Sequence, residues 1–131
     1  MTTKAQAVAM VASWEENAYD EAEGTPKTSK ASIKYTYDGD VSGESAAELL
    51  LVYVGEEAKY VGLERITATI DGRQGTFVTS AVGGFKDGVA SSSWNIVPGS
   101  GTGELAGLSG KGTFEAPSGS KGTVTFEYEL S

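Results

Sequence analysis

The chain has no histidine and no cysteine. Without cysteine there is no disulfide, no thiolate nucleophile and no sulfur-held zinc. Without histidine the commonest general base and metal ligand are missing, and so is every Ser–His or Cys–His arrangement. No cofactor and no metal is expected. Basic residues are few, 10 against 18 acidic ones, for a net charge of −8. They are scattered rather than striped, so neither nucleic acid nor an anionic membrane surface is an expected partner. No apolar run approaches the ~20 residues of a membrane span. The segment Ala7-Val8-Ala9-Met10-Val11-Ala12 behind Lys4 faintly resembles a signal peptide. It is short, lacks leucine and runs directly into Trp14 and a charged stretch, so a cytoplasmic protein is the expectation.

What is present is turn chemistry between β-branched and aromatic stretches. Asp38-Gly39, Asp71-Gly72 and Asp87-Gly88 each supply the positive φ that a tight hairpin needs. The 131 residues suggest one domain, residues 1–131, large enough to bury its own core. Strands are predicted at Ala5–Trp14, Ser29–Tyr37, Glu44–Val54, Tyr60–Ile70, Gly75–Phe85, Val89–Val97, Thr113–Ala116 and Lys121–Leu130, with a loop over Glu15–Lys27 and a glycine-rich turn region over Pro98–Gly112. About eight antiparallel strands and no long amphipathic helix predict an all-β single barrel, just wide enough for side chains or one small ligand. Alternation places Tyr35, Leu51, Ile66, Phe77, Trp94, Phe126 and Tyr128 inside, with Leu50 competing with Leu51 for the inward position.

Several motifs are better read as turns. Asp38-Gly-Asp40-Val-Ser42-Gly43 starts like a calcium loop but has Leu49 where the closing glutamate belongs. Gly101-Thr-Gly103-Glu-Leu-Ala106 matches a dinucleotide fingerprint, yet Gly107, Gly110 and Gly112 forbid the helix that must come next. These glycines suit a tight loop crossing a barrel end. Glu48 and Glu64 form a conceivable glycosidase pair, weak because their separation in space is not encoded locally.

Glu64 is the sharper candidate. Period two places it with Tyr60, Gly62, Ile66, Ala68 and Ile70. Facing inward, its carboxyl would be desolvated, raised in pKa and usable as a general acid or base, with Gly62 leaving room for a ligand. A bulge that turns it outward and a structural ion pair are the alternatives. Tyr35 and Trp94 lie on apolar faces and are either core or ligand-lining; Trp14 is placed to plug a barrel end.

Three segments resemble the DUF3224 family: Val61-Gly-Leu-Glu-Arg-Ile66, Asp71-Gly-Arg-Gln-Gly-Thr-Phe77-Val78 and the string from Trp94 to Leu108; so do Ser13-Trp14-Glu15-Glu16 and Pro26-Lys27. The resemblance covers nearly the whole chain. It implies a barrel similar to allene oxide cyclase and dirigent proteins, and self-association as a homo-oligomer. It supplies no catalytic residues. The first strand departs from the family's Gly-Thr-Phe-Glu-Val pattern, carrying small alanines instead, which would widen a lumen.

The function is expected to be one of two kinds. In one, the barrel binds a small apolar organic ligand and acts as a cofactor-free cyclase or isomerase by confinement. Glu64 is then the catalytic residue, and Tyr35, Leu51, Gly62, Trp94 and Tyr128 line the ligand. In the other, the barrel is a non-catalytic carrier or sensor. A filled structural barrel that oligomerises is the plainer alternative.

Overall fold

The computed structural model describes residues 2–20, 22–117 and 121–130, with the backbone alone at Tyr19 and Asp20. Eight strands form one closed antiparallel barrel: β1 (Thr3–Asp20), β2 (Lys27–Gly39), β3 (Val41–Val54), β4 (Glu57–Ile70), β5 (Arg73–Lys86), β6 (Val89–Ile96), β7 (Leu108–Ala116) and β8 (Lys121–Leu130). Each pairs with its sequence neighbour, and β8 returns to β1 through Thr3↔Tyr128 to Met10↔Lys121. Closure leaves no free sheet edge around the barrel body. No helix is long and apolar enough to cross a membrane among the described residues.

The alternation read from the sequence is the alternation of the barrel. Leu51 is 6% exposed and Leu50 48%, which settles their competition. Ile66, Phe77, Trp94, Phe126 and Tyr128 are buried as predicted, and Tyr35 is half-buried. Small residues Ala5, Ala7 and Ala9 face in from β1, and the main core packs around them and around Phe77, Trp94 and Phe126. A second cluster, Ala31, Ile33, Ala47, Leu49 and Leu51, lies between β2 and β3.

Two of the three Asp-Gly pairs make the predicted hairpins, with φ of 51° and 53° at Asp71 and Asp87 and of 77° and 80° at their glycines. Asp38-Gly39 does not. Both residues still pair with β1, opposite Val8 and Ala7, and β2 meets β3 only from Tyr37↔Gly43. The reversal is a wider loop stitched to β1 by Asp40, whose N–H donates to the Gln6 carbonyl (2.8 Å) and whose carboxylate accepts from the Gln6 N–H (2.9 Å). Gly39 is needed for close approach there: a Cβ would come within 2.9 Å of the Gln6 carbonyl oxygen.

Six strands, β1–β5 and β7, are longer than the sequence predicts, β1 and β7 most of all. β1 continues through Glu15 to Asp20, shortening the expected loop; Glu21 within it lies outside the described residues. β7 begins at Leu108, inside the expected glycine-rich turn. Gly112 there is a strand residue without a side chain because the Trp94 ring and the Phe126 Cβ occupy that space, 2.4 and 2.5 Å from where its Cβ would be.

The rest of that glycine-rich segment crosses a barrel end, as its composition suggests. Residues 97–107 fold against β5: the Val97 N–H donates to the Val78 carbonyl and the Thr102 N–H to the Thr76 carbonyl, both at 2.8 Å. A 3-10 turn, Gly103–Leu105, carries the fully buried Leu105 into the core as a plug. The opposite end, where β1–β2, β3–β4 and β5–β6 turn, is the mouth.

At Ala12, β1 carries a bulge: Val11 pairs with Tyr35 and Ser13 with Lys34, leaving Ala12 over. One extra residue reverses the parity of the strand beyond it. Before it Ala5, Ala7, Ala9 and Val11 point inward; after it Trp14 and Glu16 share a face with Ile33 and Ala31. Trp14 therefore comes to the mouth.

Candidate functional site

Glu64 faces the lumen. β4 pairs Glu64 with Ala47 of β3 and Thr79 of β5, both buried, so no bulge turns it outward. Its Oε2 accepts from the Tyr37 hydroxyl and from Ser45 Oγ, the latter at 2.5 Å. Tyr37 and Ser45 project from β2 and β3, so three strands converge on one carboxyl oxygen. Among the described residues no ion pair holds it: the partners are a phenol and a hydroxyl. Burial raises the Glu64 carboxyl above its ordinary value, and the bonds from Ser45 and Tyr37 only partly offset this. Burial likewise pushes the Tyr37 phenol well up, with the nearby Glu64 charge adding to it. Tyr35 is raised by burial and then by the same charge.

Glu64 lines an inner chamber of about 50 Å³, room for a few waters. Its walls include Tyr35, Tyr37, Tyr60, Phe77, Trp94 and Phe114. Toward the mouth lies a larger chamber of about 310 Å³, walled by Trp14, Leu51, Tyr53, Phe85, Ala90 and Phe114 among others. Tyr35, Leu49, Tyr60 and Phe114 line both, so they form the constriction between them. Tyr35 and Phe114 meet edge to face there, with centroids 6.2 Å apart. Gly122 makes space for that ring, since a Cβ would sit 2.2 Å from the Phe114 edge.

Of the residues singled out by sequence, Glu64, Tyr35 and Trp94 line the inner chamber and Leu51 the outer one. Gly62 leaves no room for a ligand, because Leu49 fills the space over it: a Cβ would lie 2.5 Å from Leu49 Cδ2 and 2.2 Å from the Glu48 carbonyl oxygen. Tyr128 sits away from Glu64 toward the closed end, its ring tilted at 34° to that of Phe126 with centroids 5.6 Å apart. Glu48 is on the outer face, accepting from Ser32 Oγ, and cannot pair with Glu64 across a substrate.

Sequence reading placed Tyr60 on the face of Glu64 but missed Tyr37, Ser45 and Phe114. It also missed a second carboxyl set at the rim. Glu16 accepts from Trp14 Nε1 (3.1 Å), from Ser29 Oγ (2.5 Å) and from the Tyr53 hydroxyl. Burial alone would raise this carboxyl, but these bonds and the Lys27 charge outweigh it and the net shift is downward. The two carboxyls thus have opposite shifts with similar partners, and depth decides the sign.

That difference is testable. A carboxyl raised on folding contributes stability below the unfolded value of about 4.3, and this is lost as pH rises through the folded value. Among the described residues no lysine or arginine lines the chamber, and the facing tyrosines stay neutral over that window. Chemical denaturation of the wild type and of Glu64→Gln between pH 4 and 8 should show the variant gaining on the wild type by up to about 1.4 kcal/mol per pH unit across the window. A constant difference would mean that Glu64 is solvated like a surface acid.

The family model "Protein of unknown function (DUF3224)" matches residues 5–128. No curated protein matches the chain. Among solved structures, a protein of unknown function from the DUF3224 family of Shewanella oneidensis MR-1 is similar over 100% of this chain and 99% of its own, at 27% identity and a TM-score of 0.84.

Proposed function

Since the chain belongs to the DUF3224 family, a grouping without an assigned activity, we propose from its lumen that it binds a small, largely apolar organic molecule inside the barrel. The observation that carries this is two adjoining apolar chambers, among the described residues open at one end and plugged at the other, with one carboxyl at the inner wall. Ligand cavities of this kind combine apolar walls with a few placed polar groups. The ligand's body rests between Trp14, Leu51 and Phe85, and its polar end reaches past Tyr35 and Phe114 toward Glu64.

Saturable binding of 1-hexanol, read by titration calorimetry and by a rise in Tm, is the expected result. Ala81→Leu, which extends from β5 into the inner chamber, should weaken that binding at least about tenfold, while Ser80→Leu on the outer face should not. Equal affinity in Ala81→Leu would refute the lumen as the site.

A raised carboxyl beside a phenol supports the catalytic version of this reading, in which confinement lowers the entropic barrier and Glu64 supplies or accepts a proton. Isomerisation of a polyene epoxide by the wild type and not by Glu64→Gln would distinguish a cyclase from a carrier. The likeness to allene oxide cyclase that the sequence resemblance implies would be fold analogy alone and adds nothing about residues. The filled, self-associating barrel draws on exposed Leu50, Val61, Leu63 and Val82 outside, but the chambers inside favour a ligand.

A further inference from the structure

The lumen's chemistry narrows the class of ligand. Of the two Glu64 oxygens, Oε2 takes both protein hydrogen bonds, and Oε1 takes none among the described residues. Oε1 is not sealed away, since no buried side-chain oxygen lacks a partner among those residues; it opens on the chamber. Around it stand the rings of Tyr35, Tyr60, Phe77, Trp94 and Phe114, whose faces carry negative quadrupole potential. Among the described residues no lysine or arginine lines either chamber. Besides Glu64, the charged residues described in the chamber walls are Glu56 and Glu57 at the mouth. Lys27, near the rim, is engaged over the Tyr53 ring at 5.3 Å and in the field of Glu16.

Every one of these features favours positive charge in the ligand. The mouth attracts it, the rings tolerate it, and the carboxylate has an oxygen open to the chamber and no cationic side chain in the described walls. On the basis of the lumen-binding reading above, we propose that the barrel is a receptor for amphipathic organic cations: a primary or secondary ammonium group seated against Glu64 Oε1, with its apolar tail in the outer chamber. An ammonium donor brings to the carboxylate a full positive charge that a neutral hydroxyl lacks. It also supplies the missing counter-charge that burial of Glu64 demands. A carboxylate ligand of the same length meets only repulsion from Glu64, Glu56 and Glu57.

Calorimetry with n-hexylammonium, 1-hexanol and hexanoate at pH 7 tests this on the wild type and on Glu64→Gln. The wild type should bind hexylammonium at least about tenfold more tightly than hexanol, and hexanoate most weakly. In Glu64→Gln the ammonium advantage over hexanol should collapse to within about threefold. Hexanol or hexanoate binding the wild type as tightly as the ammonium overturns the cation proposal and leaves the lumen reading intact. So does a Glu64→Gln protein that keeps the preference. If none of the three probes binds the wild type, the lumen-binding reading falls and the cation proposal with it.

Discussion

Replacing Leu105 with Ala is expected to destabilise the barrel by about 2–5 kcal/mol, toward the upper end of what a buried leucine truncation costs. Leu105 is fully buried in the main core, which Ile70, Phe77 and Leu108 share. The loss depends on how far the surroundings can collapse into the void. Here they are held. The Leu105 N–H donates to the Thr102 carbonyl, and Thr102 is bonded to Thr76 through both backbone and hydroxyl. Ser100 Oγ accepts from the Val78 N–H at 3.0 Å. Gly75 admits the crossing because a Cβ would lie 2.0 Å from the Thr102 carbonyl oxygen. A loop fastened at so many points cannot sink to track a shorter side chain. Urea denaturation should show a lower midpoint with an unchanged slope. A loss below about 1 kcal/mol would mean that the loop is not the plug.

Deleting Ala12 should have an effect at least as large. The residue is exposed and touches no core, so its substitution by Ser or Thr should be nearly silent. Its deletion removes the bulge, and the strand must then choose. Either Ala5–Val11 keep their inward face and Trp14 and Glu16 turn out, or the lower half inverts and exposes the alanines of the main core. The first choice breaks the bonds of Glu16 to Ser29 and Tyr53 and strips the mouth of Trp14. The second disrupts the barrel. The expected result is a protein destabilised by several kcal/mol, about 3 or more, or one that folds with Trp14 fluorescence fully solvent-quenched. Wild-type stability together with an unchanged Trp14 environment would mean that the strand reabsorbs the loss within its turn.

Strand count, inward parity over β2–β5 and β8, and the loop crossing one end were all legible locally. Each depends on side-chain alternation or on turn residues that act within a few positions. What misled was glycine. The same residue marks a hairpin at Gly72 and Gly88, close backbone approach at Gly39, packing room at Gly112, and a place filled by Leu49 at Gly62. Those uses differ in what lies across the sheet, which nothing in the neighbouring sequence specifies. The Ala12 bulge was equally silent, because an alanine-rich strand with little contrast between its faces carries no parity signal to break.

The sequence by itself determined that this chain is an antiparallel barrel and that Glu64 lies on an apolar strand face, because alternation with period two is a property of each strand alone. Only the tertiary structure decided what Glu64 meets there. Tyr37 and Ser45 lie 27 and 19 residues away, and they reach the same carboxyl oxygen because the register pairs Ala47 with Glu64, which sets Ser45 at the next inward position of β3 and Tyr37 opposite Gly43, within reach of its long side chain. Register is a sum over ladders and turns, one of them the unexpected loop at Asp40, so the site's geometry arises from closure of the whole barrel rather than from any segment of it.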